Sequence, residues 1–144
     1  MGLRISASKI YFVDSNIFIY ALEASGEEGG SALQFFKEIK NKNPRVFTSV
    51  VTISEVMIKV FERKLDEKID DYLGFISGNG AISIVEISRS TAILAAKLRA
   101  EHRFKTPDAM QIASALLCNA NEFVTSDRGF PKKIEKMLVR NIFD

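Results

Sequence analysis

Two hydrophobic periodicities alternate along the chain. Short runs rich in Val, Ile and Phe recur at residues 9–13, 46–49, 81–87 and 122–125, bounded by polar or turn-forming residues, and they predict four strands. A weaker fifth strand is expected at 138–142. Apolar positions spaced three and four apart predict helices at 15–22, 31–42, 51–64, 66–76, 88–102 and 106–117, with a short one at 131–137. Within 31–42, Leu33, Phe36 and Ile39 mark an apolar side. Within 51–64, Ile53, Val56, Met57, Val60 and Phe61 form a stripe that should face the core. Glu55 lies off that stripe, with Val51 and Ile58 on its own side, so its face is not uniformly polar. Segment 24–30, with three glycines and two glutamates, reads as a loop, and Ser77-Gly78-Asn79-Gly80 reads as a turn. Thr106-Pro107 reads as the N-cap and first residue of a helix.

Strands alternating with helices imply crossover connections and a mainly parallel sheet covered on both faces, an α/β fold. In open sheets of this class the ligand site lies beyond the carboxyl ends of the strands. That rule gives four acids a common address. Asp14 follows the first strand directly and Asp127 stands two residues past the fourth. Glu55 is in the early turns of the helix after the second strand, and Asp108 is in the first turn of the helix entering the fourth. Each alone has an ordinary structural role: Asp14 as a helix N-cap, Asp108 as a first-turn acid, Asp127 as a turn residue, Glu55 on a solvated face. Gathered on one rim without cations they would repel strongly. A hard divalent ion such as Mg²⁺ or Mn²⁺, which takes oxygen ligands, is the economical reason to gather them, and it points to phosphodiester chemistry.

Charge and composition narrow the class. The whole chain carries +2, and the remainder carries +6 once the four acids are set aside as ligands. A basic shell around an acidic centre suits a polyanion. Arg103 and Lys105 precede Asp108 closely and Arg128 follows Asp127, so all three are candidate phosphate contacts as well as ordinary surface charges. His102, the single histidine, is expected at an exposed helix end, and Cys118 in the core. A length of 144 residues and the absence of linkers or repeats imply one domain, 1–144. One cysteine permits no intrachain disulfide, segment 1–9 lacks a signal-peptide core, and the longest apolar run, 17–22, falls far short of the ~20 residues that span a bilayer. A cytoplasmic location is the expectation. No Gly-x-x-x-x-Gly-Lys pattern supports P-loop nucleotide hydrolysis. An aspartyl-phosphate phosphatase would want an acid where Asn16 stands, and a phospho-receiver would want its acceptor where Glu86, Ile87 and Ser88 stand.

Four segments in order carry a family resemblance: Val13-Asp14-Ser15-Asn16-Ile17-Phe18-Ile19-Tyr20, Ser54-Glu55, Thr106-Pro107-Asp108-Ala109 running into Ile112-Ala113, and Thr125-Ser126-Asp127-Arg128-Gly129-Phe130. They resemble the motifs of the PIN domain, above all those of VapC-type toxins of toxin-antitoxin pairs. The resemblance covers about Tyr11 to Val139. It implies a three-layer α/β/α sandwich and a metal-dependent endoribonuclease in which Asp14, Glu55, Asp108 and Asp127 bind one or two Mg²⁺ or Mn²⁺ ions. Asn16 and Thr125 would orient those carboxylates. Ser126 departs from the pattern, since many relatives have Asn there. By the same resemblance the chain would form a homodimer, act on RNA and be held inactive by a small antitoxin. The Val51, Ile58 face and the 31–42 helix are candidate docking surfaces. The alternative is a PIN-like scaffold that binds RNA or a protein without cleaving it.

Overall fold

The computed structural model describes residues 3–144. Six strands form one sheet in the order β3-β2-β1-β4-β6-β5. They are β1 (Ile10–Val13), β2 (Arg45–Ser49), β3 (Ile82–Val85), β4 (Glu122–Thr125), β5 (Lys133–Ile134) and β6 (Met137–Asn141). All neighbours run parallel except β5 and β6. Six helices cover the sheet: α1 (Ser15–Glu23), α2 (Gly26–Lys42), α3 (Val50–Glu62), α4 (Ile69–Ile76), α5 (Arg89–His102) and α6 (Thr106–Leu117).

Alternation along the central strands divides the interior in two, because successive strand residues point to opposite faces. Tyr11, Val13 and Val124 enter one core with Ile17, Phe18, Phe35, Ile39 and Val56 from α1, α2 and α3. Phe12 and Phe123 enter the other with Ala95 and Leu98 of α5 and Ile112 of α6. The result is the expected three-layer sandwich about a mainly parallel sheet. Among the described residues no helix is long and apolar enough to cross a membrane.

Several local readings change. The glycine-rich segment expected as a loop is the start of α2, with Glu27 and Glu28 in its first turn, where the helix dipole favours acids. Gly29 explains the tight join, since a Cβ there would come within 2.8 Å of the Ala24 backbone at the end of α1. The buried side of α2 is Gly29, Ala32, Phe35 and Ile39, while Leu33 is exposed. On α3, Phe61 of the expected core stripe is exposed beside Ile58, and buried Thr52 takes an inward position. The helix expected over 66–76 starts as a 3-10 turn at Asp66–Lys68 before α4. No helix forms at 131–137; β5 and β6 pair there as an antiparallel hairpin that buries Ile134 and Met137. The N-cap of α6 is Lys105 rather than Thr106. Cys118 closes α6 half-buried rather than in the core, and burial raises its thiol pKa.

Candidate active site

The strand order reverses between β1 and β4: β2 and β3 extend to one side of β1, β4 to the other. At such a switch point the two strand ends diverge and leave a crevice. Asp14 leaves β1 at that crevice, and its backbone N–H donates to Val124 O at 2.9 Å. Its side chain is buried and caps α1. One carboxylate oxygen accepts from the Ser15 backbone N–H and the other from Thr125 Oγ1, both at 2.8 Å. Thr125 Oγ1 also accepts from the Asp127 N–H at 3.1 Å, so one hydroxyl ties the two acidic segments together.

Glu55 approaches from α3. Ser15 Oγ donates to Glu55 Oε1 at 2.9 Å, making Ser15 a clamp on both Asp14 and Glu55. Asp108, half-buried in the first turn of α6, completes the inner group. Asp127 is exposed and its Oδ1 accepts from the Gly129 N–H at 2.8 Å, an Asx turn. The structural roles anticipated for Asp14 and Asp127 are therefore real, and they coexist with the clustering.

Electrostatics shows how closely the four acids share one field. Asp14 has its pKa pushed up to about 7, first by burial and then by the neighbouring charges of Asp108 and Glu55, against the Thr125 and Ser15 hydrogen bonds that favour the anion. Asp108 is also raised, by burial and then by Asp127 and Glu55, with Lys105 opposing. As the side chains stand, no group of three or more His, Cys, Asp or Glu among the described residues is arranged to hold a metal ion. The donor set nevertheless fits a hard divalent ion. Asp14 uses two of its roughly four acceptor sites on protein hydrogen bonds, and the mutual repulsion of Asp14, Glu55 and Asp108 is relieved by a cation placed between them.

A buried polar chain that sequence reasoning did not find supports the rim from below. Ser49 Oγ donates to Gln111 Oε1 at 2.6 Å, and Gln111 Nε2 donates to Thr52 Oγ1 at 2.9 Å. Thr48 spends its one proton on Val13 O at 2.8 Å, so Thr52 donates to Thr48 across 2.7 Å. Thr52 lies one turn before Glu55 and Gln111 one turn after Asp108, so the chain locks α3 and α6 to the end of β1. Replacing Gln111 by leucine strands the Ser49 hydroxyl and one lone pair of Thr52. We expect the variant to lose about 1–3 kcal/mol of stability in urea unfolding, and an unchanged midpoint would show that the network holds nothing. Asn16, expected to orient the acids, has no hydrogen bond to any of them among the described residues; Ser15 takes that place.

A hollow of about 490 Å³ opens beside Asp108 and Asp127, walled by His102, Phe104, Lys105 and Phe130. A larger hollow, about 850 Å³, lies along α2 beside Ile142 and Phe143 and touches none of the four acids.

The pattern of the PIN domain matches residues 11–136. The chain belongs to the PIN domain family. Among curated protein sequences none matches it significantly. Solved structures give the fold independently. VapBC2 from Rickettsia felis, solved bound to a DNA fragment from its promoter, aligns with a TM-score of 0.72 at 22% identity, covering 92% of this chain and 98% of that one. A toxin-antitoxin complex from Klebsiella pneumoniae aligns at 0.62 with 26% identity, covering 81% and 86%. VapC20 from Mycobacterium tuberculosis, a Sarcin-Ricin loop cleaving toxin, aligns at 0.65 with 16% identity, covering 78% and 86%. The PIN match includes Asp14, Glu55, Asp108 and Asp127, so the crevice described above lies inside the family region.

Proposed function

We propose that this PIN protein is a single-domain, divalent-metal-dependent endoribonuclease and the toxin of a type II toxin-antitoxin pair. The observation that carries the reading is Asp14: a fully buried carboxylate whose charged neighbours are two further acids, at the switch point of a parallel sheet. A fold keeps such a group for what it binds more readily than for stability, because an uncompensated buried charge is costly.

In this reading Asp14, Glu55, Asp108 and Asp127 hold one or two Mg²⁺ or Mn²⁺ ions. When bound, the metal would make a water a stronger nucleophile and stabilise charge on the phosphodiester. Thr125 and Ser15 orient the carboxylates, while Lys105 and Arg103 meet the flanking phosphates. One similar structure is a toxin-antitoxin complex by its description, which supports a small antitoxin as partner. The test of activity is cleavage of labelled RNA and single-stranded DNA with Mn²⁺ or Mg²⁺: RNA alone should be cut, and EDTA should stop it. The test of partnership is expression in a bacterial host, where growth arrest by this chain alone should be relieved by a short gene neighbouring its own. Equal arrest with and without that gene would remove the antitoxin from the proposal.

One observation favours a second reading, a scaffold that binds without cleaving: the acids are not closed around a metal position. Isothermal titration with Mn²⁺ separates the two, since the nuclease binds the ion and the scaffold does not.

A further inference from the structure

An aromatic series runs from the core to the rim of the crevice. Phe12 stacks on Phe123 with centroids 5.7 Å apart, Phe123 meets Phe130 edge-on at 5.6 Å, and Phe130 meets Phe104 at 5.5 Å. The last member is His102, stacked on Phe104 at 5.1 Å with the planes only 15° apart. Phe12 and Phe123 are fully buried, Phe130 and Phe104 are half-buried, and His102 is exposed. Packing accounts for Phe104, which covers Phe130. It does not account for a polar ring laid parallel on Phe104 at the surface.

The position of this last ring gives it a use. His102, Phe104 and Phe130 wall the same 490 Å³ hollow as Asp108 and Asp127, with Arg103 and Lys105 on its lip. The hollow is of the size that takes small-molecule groups. The turn that follows His102 and carries Phe104 is bridged by Arg99 of α5, which donates to Thr106 Oγ1 at the start of α6 across 2.7 Å. Aromatic faces beside cationic side chains are how proteins hold single strands: bases stack, and the cations follow the backbone.

We propose that His102 and Phe104 form a nucleobase-stacking subsite, which receives an unpaired base next to the phosphate held at the acids, with Arg103 and Lys105 on the adjoining backbone. The subsite rests on the nuclease reading for its orientation and deepens it. It selects substrates that can present an unstacked base, meaning single strands and loops rather than continuous duplex.

The test uses the full chain and a fluorescently labelled, 12-nucleotide single-stranded RNA of mixed sequence, read by anisotropy in EDTA and by cleavage in Mn²⁺. His102→Ala, at an exposed position, should weaken single-strand binding about tenfold, and Phe104→Leu, which keeps apolar volume over Phe130, should do the same. His102→Trp should restore the affinity. In cleavage the loss should fall on KM, with kcat within about twofold of wild type. A duplex of the same sequence should bind all four proteins equally. Single-strand affinity within twofold of wild type for His102→Ala, an equal loss on duplex, or no RNA binding by wild type would overturn the subsite. Binding that depends on His102 without any cleavage would instead overturn the nuclease reading and leave the subsite standing.

Discussion

Asp14→Asn and Asp108→Asn should each lower Mn²⁺-dependent RNA cleavage by about 100-fold or more. Even residues that only orient a metal's ligands cost about 10- to 100-fold when changed, so loss of a ligand charge should cost at least as much. The substitutions are chosen to spare the fold. Asparagine is as good an N-cap as aspartate, so α1 keeps its start after Asp14→Asn. Thr125 Oγ1 can accept from the new amide as readily as it donated to the carboxylate. Asp127→Asn is the informative third variant, because asparagine can still make the Asx turn to Gly129 and loses only the charge. Cleavage lost in Asp14→Asn and Asp108→Asn but kept in Asp127→Asn would make Asp127 a turn residue and leave three ligands. Cleavage that survives all three would remove this crevice from the chemistry.

The acids could be found in the sequence because their placement follows from strand ends. An Asp directly after a short apolar run, and another two residues past a second run, reach the carboxyl edge of a parallel sheet whatever the details of the helices. The meeting of Asp14 and Asp127 needs only that β1 and β4 be neighbours, which the pairing of Val13 with Val124 shows. What was hidden depends on contacts between residues far apart in the chain. Ser49 and Gln111 are 62 positions apart and Thr52 and Gln111 are 59 apart, so no local pattern marks them. Ser15 looks like any helix start until Glu55 comes within reach of its hydroxyl. The strand expected at 138–142 forms as β6, while the segment 131–137 was misread for a related reason. Its lysine- and glutamate-rich sequence favours helix weakly, and the pairing of β6 with β4, with burial of Ile134 and Met137, overrides that preference. Leu33 and Phe61 show the limit of periodicity from the other direction, since each completes an apolar pattern yet faces outward.

Without a metal, Asp14 should make the protein less stable as pH rises. Its folded pKa, about 7, lies above its ordinary value of 3.8, so the folded state holds this proton more tightly than the unfolded chain does. The sign follows: the contribution is fully favourable below about pH 4, declines as pH rises through the window from about 4 to about 7, and is lost above it. Roughly three pH units at 1.36 kcal/mol each put the cost at pH 8 at about 4 kcal/mol. Asp14→Asn removes that cost and should melt about 10–15 °C above wild type at pH 8 in EDTA, with the difference closing near pH 4. A divalent ion acts on the same charge. Mn²⁺ at 100 times its dissociation constant should stabilise wild type by about 2.7 kcal/mol at pH 8, and should leave Asp14→Asn nearly unmoved. Thermal melts of both proteins at pH 4 and pH 8, with EDTA or Mn²⁺, measure all of this without any RNA present. An asparagine variant less stable than wild type in EDTA at pH 8, together with a wild type indifferent to Mn²⁺, would show that the Asp14 carboxylate serves the fold alone.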